Sequence, residues 1–172
     1  AKKAVAQAAD DKNAAIDSSN LTDEEKAALK QEVTDAQNAA DQVIDNATTN
    51  VAVTEAKDNG ISAIDGITVP TTSANKEKAI TDLNNEVENA KKAIDQDNNL
   101  TAEEKQAVKD QIDSDAKNAQ DAINNAKTDN DVNNAVDNGK VSIDKDVANA
   151  AIDNAVAGKL KEIQDPLTTE EK

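Results

Sequence analysis

The side chains in this sequence that could do chemistry are carboxylates and lysines, because it contains no His, Cys, Met or aromatic residue. Its 35 Asp and Glu outnumber 19 basic residues, all of them Lys, and the net charge is −16. Imidazole acid–base catalysis, thiol nucleophiles and the usual zinc ligands are therefore missing. Paired carboxylates remain. Glu24-Glu25 and Glu103-Glu104 have the residue types of a catalytic acid pair, yet both sit where a helix start favours negative charge. Asp95-Gln96-Asp97-Asn98-Asn99 opens like a calcium loop, but Leu100 stands where Gly is needed and Gln106 where the bidentate Glu belongs. Its counterpart, Asp17-Ser18-Ser19-Asn20, loses the pattern. The sequence thus assigns no catalytic, cofactor-binding or metal-ligating residue, and the chain reads as something other than an enzyme.

The elements that carry these carboxylates announce themselves by repetition. Leu21-Thr22-Asp23-Glu24-Glu25-Lys26 returns as Leu100-Thr101-Ala102-Glu103-Glu104-Lys105 and as Leu167-Thr168-Thr169-Glu170-Glu171-Lys172. In this LTxEEK motif the Thr is placed to cap a helix, and the Glu three residues on to bond back to the cap's N–H. The preceding Leu can staple onto the first turn. Asn20-Leu21-Thr22 and Asn99-Leu100-Thr101 also match glycosylation sequons, but capping already accounts for each Thr. The shift that maps Leu21 onto Leu100 also maps Lys30 onto Lys109, Val33 onto Ile112, Ile44 onto Ile123, Gly60 onto Gly139 and Ile64 onto Ile143. No gap is needed, so the chain is a tandem repeat.

Composition leans towards disorder, but the few apolar residues fall at helical spacing. Val5, Ala9 and Ile16 share one face of a first helix. Leu29, Val33, Ala36, Ala40, Ile44 and Ala47 form a seam along a second, and Val53, Ala56, Gly60 and Ile64 mark a third. In the second copy the Ala36 position becomes Asp115, and the apolar residue moves to Ala116. The spacing predicts an all-α fold of tandem three-helix bundles, with residues 1–66 as the first repeat. Residues 67–73, containing Pro70, are a linker, and 74–144 are the second repeat. After Gly139 the apolar positions run on without a stop before Pro166, and Ile152, Val156 and Ile163 match Leu83, Val87 and Ile94. Residues 145–172 therefore read as the first helix of a truncated third repeat, fused to the helix before it. The glycines Gly60 and Gly139 read as close helix–helix contacts or local weak points of the helix, ahead of a place where a ligand approaches the backbone. An odd number of helices per unit puts entry and exit at opposite ends, so units of roughly 35–40 Å should stack lengthwise into a rod.

The acidic surface argues against nucleic acid and anionic membranes as partners. No apolar run approaches the roughly 20 residues of a membrane span. No signal peptide or anchor is visible, so the sequence reads as a segment of a longer protein.

The order of motifs, Ile16-Asp17, Leu21–Lys26, Ile44–Ala47 and Val53–Ile64, recurs as Ile94-Asp95, Leu100–Lys105, Ile123–Ala126 and Val132–Ile143. It resembles the helical repeat known as domain of unknown function 1542, found in tandem in large Gram-positive cell-wall-anchored surface proteins. The resemblance implies an extracellular stalk of an adhesin, linked to biofilm or host attachment, with no cofactor. The partners it implies are neighbouring repeats of the same chain and, in the other reading, a host protein captured by a helical binding module. The chain is expected to be a monomer.

Overall fold

The computed structural model describes the backbone of residues 1–170 and the side chains of residues 1–164. It is all-α. The helices are α1 (Lys2–Ser18), α2 (Asp23–Asn46), α3 (Asn50–Asp65), α4 (Ala74–Gln96), α5 (Ala102–Asn125) and α6 (Asp129–Glu170), and the described residues contain no strand. By contacts the chain divides into two units. One comprises residues 1–75 together with 127–129, and the other comprises residues 76–126 and 130–172.

In the first unit α1, α2 and α3 each pack on the other two. The seam residues Val5, Ala9, Ile16, Val33, Ala40, Ile44, Ala56 and Ile64 form the core, as helical spacing dictates. Ile67 and Val69, from the stretch that reads as linker, also pack against this core. In the second unit α4, α5 and the first half of α6 share a core centred on Leu83, Ile94, Ile112, Ile123, Val132 and Ile143. Ala116 is buried there, so the seam does shift by one residue past Asp115. α6 passes unbroken through residues 140–149 and through Gly158.

With no aromatic side chain to fill space, these cores close by bringing backbones together. A Cβ on Gly139 would lie 2.5 Å from the Ala119 Cβ and 3.1 Å from Leu83 Cδ1, and one on Gly60 would collide with the Ala40 Cβ. Both glycines are contact points between the second and third helices of their units.

The third LTxEEK copy behaves differently from the first two. A helix was expected to begin at Thr168, but α6 simply continues from Asp129 to Glu170. The first two copies follow turns that fold back onto a core. Residues 155–164 of α6 are exposed throughout, so nothing there rewards a turn over another helical residue. The side chains that would close this third box, Thr168 and Glu171, lie outside the described residues.

The glycine geometry fixes the sign of two substitutions. Gly139→Ala gains about 1 kcal/mol of helix propensity, but overpacking costs about 1–3 kcal/mol, so urea denaturation should show a net loss. Gly158 has nothing within 4 Å of its would-be Cβ, so Gly158→Ala should raise helical content by circular dichroism.

Candidate functional site: the helix ends

The polar side chains of both units converge on helix ends rather than on a pocket. At the start of α2, Thr22 is fully buried. Its hydroxyl accepts from Glu25 N at 3.3 Å, while Thr22 N donates to Glu25 Oε2 at 2.9 Å. At the start of α5 the Thr101 hydroxyl accepts from Glu104 N at 3.2 Å, and Thr101 N donates to Glu104 Oε2 at 2.8 Å. Both boxes are therefore complete.

The two glutamates differ in surroundings. The other oxygen of Glu25 accepts from Asn75 N at 3.3 Å. Burial pushes the Glu25 carboxyl up, but bonds from the Thr22 backbone, the Ser73 side chain and the Asn75 backbone outweigh it and hold it below the usual glutamate range. Glu104 is also held low, by bonds from the Thr101 backbone and hydroxyl. The pair Glu24-Glu25 does not converge as two catalytic acids. Within the first unit Glu24 Oε2 accepts from Asp129 N at 2.9 Å, so the neighbouring carboxylates serve different backbone donors.

The C-terminal ends have a different solution. Among the described residues none has a positive φ, so the left-handed glycine cap is not used. None of α1 to α5 has a basic residue in its own last turn either. α1 closes with its own hydroxyls, Ser18 Oγ to Ala15 O at 3.0 Å and Ser19 Oγ to Ile16 O at 2.6 Å. At the ends of α3, α4 and α5 a lysine from another helix donates to the free carbonyls. Lys12 of α1 donates to Asp65 O and Ile67 O, at 3.0 and 2.8 Å, at the end of α3. Lys76 of α4 donates to Asn124 O of α5 at 3.0 Å. Lys105 of α5 donates to Asp95 O of α4 at 2.8 Å.

The Ile-Asp motif acquires a role in the same way. Asp17 pairs with Lys30 at 2.6 Å, and its repeat equivalent Asp95 pairs with Lys109 at 2.8 Å. Asp97 Oδ1 accepts from Asn99 N at 2.8 Å. The calcium-like run thus has its acidic oxygens turned to lysine and backbone partners. Among the described residues no three His, Cys, Asp or Glu stand close enough to share a metal ion, and no helix is long and apolar enough to cross a membrane.

The arrangement is that of a repeat in which the capping boxes and an Asp–Lys pair recur in both copies, while the lysines that meet helix ends differ between them. The model of the family described as Domain of Unknown Function (DUF1542) matches residues 1–72 and again 75–147. The chain belongs to the DUF1542 family. Among curated proteins it is 38% identical over 109 residues to the "Extracellular matrix-binding protein EbhA" of Staphylococcus aureus strain Newman, covering 63% of this chain and 3% of that protein. It is 32% identical over 126 residues to the "Extracellular matrix-binding protein ebh" of strain USA300 / TCH1516, covering 73% of this chain and 1% of that protein. The chain therefore spans only a few hundredths of the length of the relatives it matches. No solved structure matches it. By their printed names these relatives are extracellular matrix-binding proteins of Staphylococcus aureus.

Two outcomes follow for the caps. Thr101→Ala should cost about 1 kcal/mol in chemical denaturation, the usual loss of a cap hydroxyl. Glu25 has a depressed folded-state value, so its contribution is present above the ordinary glutamate range and is lost as pH falls through the lower folded value. Glu25→Gln should therefore unfold more easily than the parent at pH 7, and the gap should close on acidification below about pH 4.

Proposed function

We propose that this chain is a spacer segment of a bacterial surface adhesin, holding a distal binding domain away from the cell wall. The observation that carries the reading is the use of its polar chemistry. The repeated motifs are spent on starting and ending helices, and the same plan is built twice in one chain. Such a segment needs length, solubility and repeatability, and an acidic surface of charge −16 supplies the second. The reading assigns it no reaction, cofactor or metal, and wall anchoring belongs to the longer protein. Neighbouring repeats of the same chain are its partners, and it is monomeric.

A second reading is favoured by the printed names of the relatives, which are extracellular matrix-binding proteins. Here the repeat itself would hold a host matrix protein. The place for it would be the shallow groove of about 260 Å³ lined by Ala36, Ala39, Val43, Ala56 and Ala63, where Val43 is 57% exposed.

Two measurements separate and test these. A spacer requires units that extend lengthwise, so small-angle scattering should give a monomer with a maximum dimension of roughly 80–110 Å, from helix rise and unit length. A compact particle of about 50 Å at this mass would overturn it. Binding of the purified chain to an extracellular-matrix coat decides the second reading. Saturable binding tighter than about 10 μM, lost in Val43→Asp, would make it a binding module.

A further inference from the structure

Two of the four glycines follow an asparagine, at Asn59-Gly60 and Asn138-Gly139, and they hold the same position in the two copies. In each pair the glycine is buried and the asparagine before it is exposed. Packing fixes the glycine. A Cβ there would sit 2.4 Å from the Ala40 Cβ in the first unit and 2.5 Å from the Ala119 Cβ in the second. The asparagine is a mediocre helix former at an exposed position, so neither packing nor propensity calls for it.

Asparagine ahead of glycine is a reactive pair, because no Cβ shields the nitrogen that follows the side chain. Hydroxide takes the proton of the glycine N–H, and the nitrogen bonds to the asparagine Cγ. The Cγ–NH2 bond breaks, and the amine leaves as ammonia with a proton from water, which restores the hydroxide. Water then opens the five-membered succinimide at one of its two carbonyls. The product is aspartate or, in larger share, isoaspartate, whose backbone runs on through Cβ and Cγ. Water is the sole co-reactant.

The folded units oppose this step in two ways. Each glycine lies inside a helix, α3 or α6, where its N–H donates to the carbonyl four residues back. A helical ψ of about −42° also differs from that of the ring, so the asparagine backbone must rotate before the bond can form. That rotation would swing the glycine off the alanine it touches.

We infer that Asn59-Gly60 and Asn138-Gly139 are self-modification sites gated by the opening of their own unit, and that the isoaspartate product keeps that unit from closing. Isoaspartate adds a methylene to the helix backbone beside the glycine contact. In the first unit Ala56 and Ile64 are buried on either side of it, and in the second Val136 and Ile143 are. A close-packed core has no slack for the added length, so both sides cannot seat at once. Each unit thus carries a one-way record of having opened. The inference draws on the glycine contacts and does not depend on the spacer reading.

The full chain is incubated at mildly alkaline pH, and modification at each asparagine is followed by peptide mapping with isoaspartyl methyltransferase labelling. Both sites should modify at least about a hundredfold more slowly in the folded chain than in urea, as sites behind a cooperative opening do. Leu83→Ala removes core from the second unit and should speed Asn138 at least about tenfold, with a smaller effect on Asn59. Val5→Ala should do the reverse. Equal rates in folded and urea-treated chain would overturn the gate, and so would a core change that speeds both sites alike. No modification in urea would remove the sites themselves. For the second part, chain modified in urea is returned to buffer beside Asn138→Asp, which has the new charge without the extra methylene. The isoaspartate pool should regain less helical circular dichroism than the parent, and Asn138→Asp should match the parent. Full recovery by the isoaspartate pool would refute the one-way record.

Discussion

Everything in this structure turns on how helix ends are satisfied. A helix leaves about four N–H groups at its start and four C=O groups at its end without internal partners. Short bundles have many ends for their mass, and among the described residues the usual economical terminator, a glycine in left-handed conformation, is not used. Starts are handled locally, by Thr22 with Glu25 and Thr101 with Glu104. The end of α1 is also handled locally, by Ser18 and Ser19, whereas those of α3, α4 and α5 are handled at a distance, by Lys12, Lys105 and Lys76 reaching from other helices. Each such lysine does two things at once. It neutralises the negative end of a helix dipole, and it ties one helix to another in a core too thin to hold them by burial alone.

That thinness is the second constraint. The cores are built from Ala, Val, Ile and Leu, and both units place a glycine where their second and third helices touch, at Gly60 against Ala40 and Gly139 against Ala119. Close approach recovers dispersion contacts that larger side chains would otherwise supply. It also fixes register, because a glycine contact tolerates little sliding. Lysine clamps and glycine contacts thus divide the work, the first at the ends of helices and the second along their length.

What the sequence made legible follows from range. The capping boxes were readable because two residues only three positions apart specify them, Thr22 with Glu25 and Thr101 with Glu104. The seams were readable because burial imposes helical period, and the one-residue shift to Ala116 showed as a break in that period. The lysine clamps were not readable, since Lys12 and its acceptors lie more than 50 residues apart and nothing local marks Lys12 from the other lysines. Nor could periodicity tell a covered face from a bare one. Ile152 and Leu83 have the same pattern around them, yet one is 59% exposed and the other fully buried. Apolar spacing reports what a face is suited to meet, and only the fold reports whether it is met. Ser73 is a similar case: the sequence places it in a linker, whereas the structure buries it and engages its side chain with Glu25.

The places where the two copies disagree are the most informative, because they follow the difference in topology. α3 ends at Asp65, and the chain then turns so that Ile67 packs on the first core. In the second copy the helix continues, and the Ile67 position is carried round to become Asp146 on α6. One oxygen of Asp146 is buried with no hydrogen-bond partner. Burial, and then the charge of Asp115, push its carboxyl above the ordinary aspartate value. Asp115 is itself the residue that replaced Ala36. So two apolar positions of the first copy, Ala36 and Ile67, are carboxylates in the second, Asp115 on α5 and Asp146 on α6. The same continuation removes the acceptors that Lys12 uses and leaves Ala90 in its place. A single change, a third helix that runs on instead of stopping, thus accounts for the turn residue lost at 67 and the clamp lost at 90.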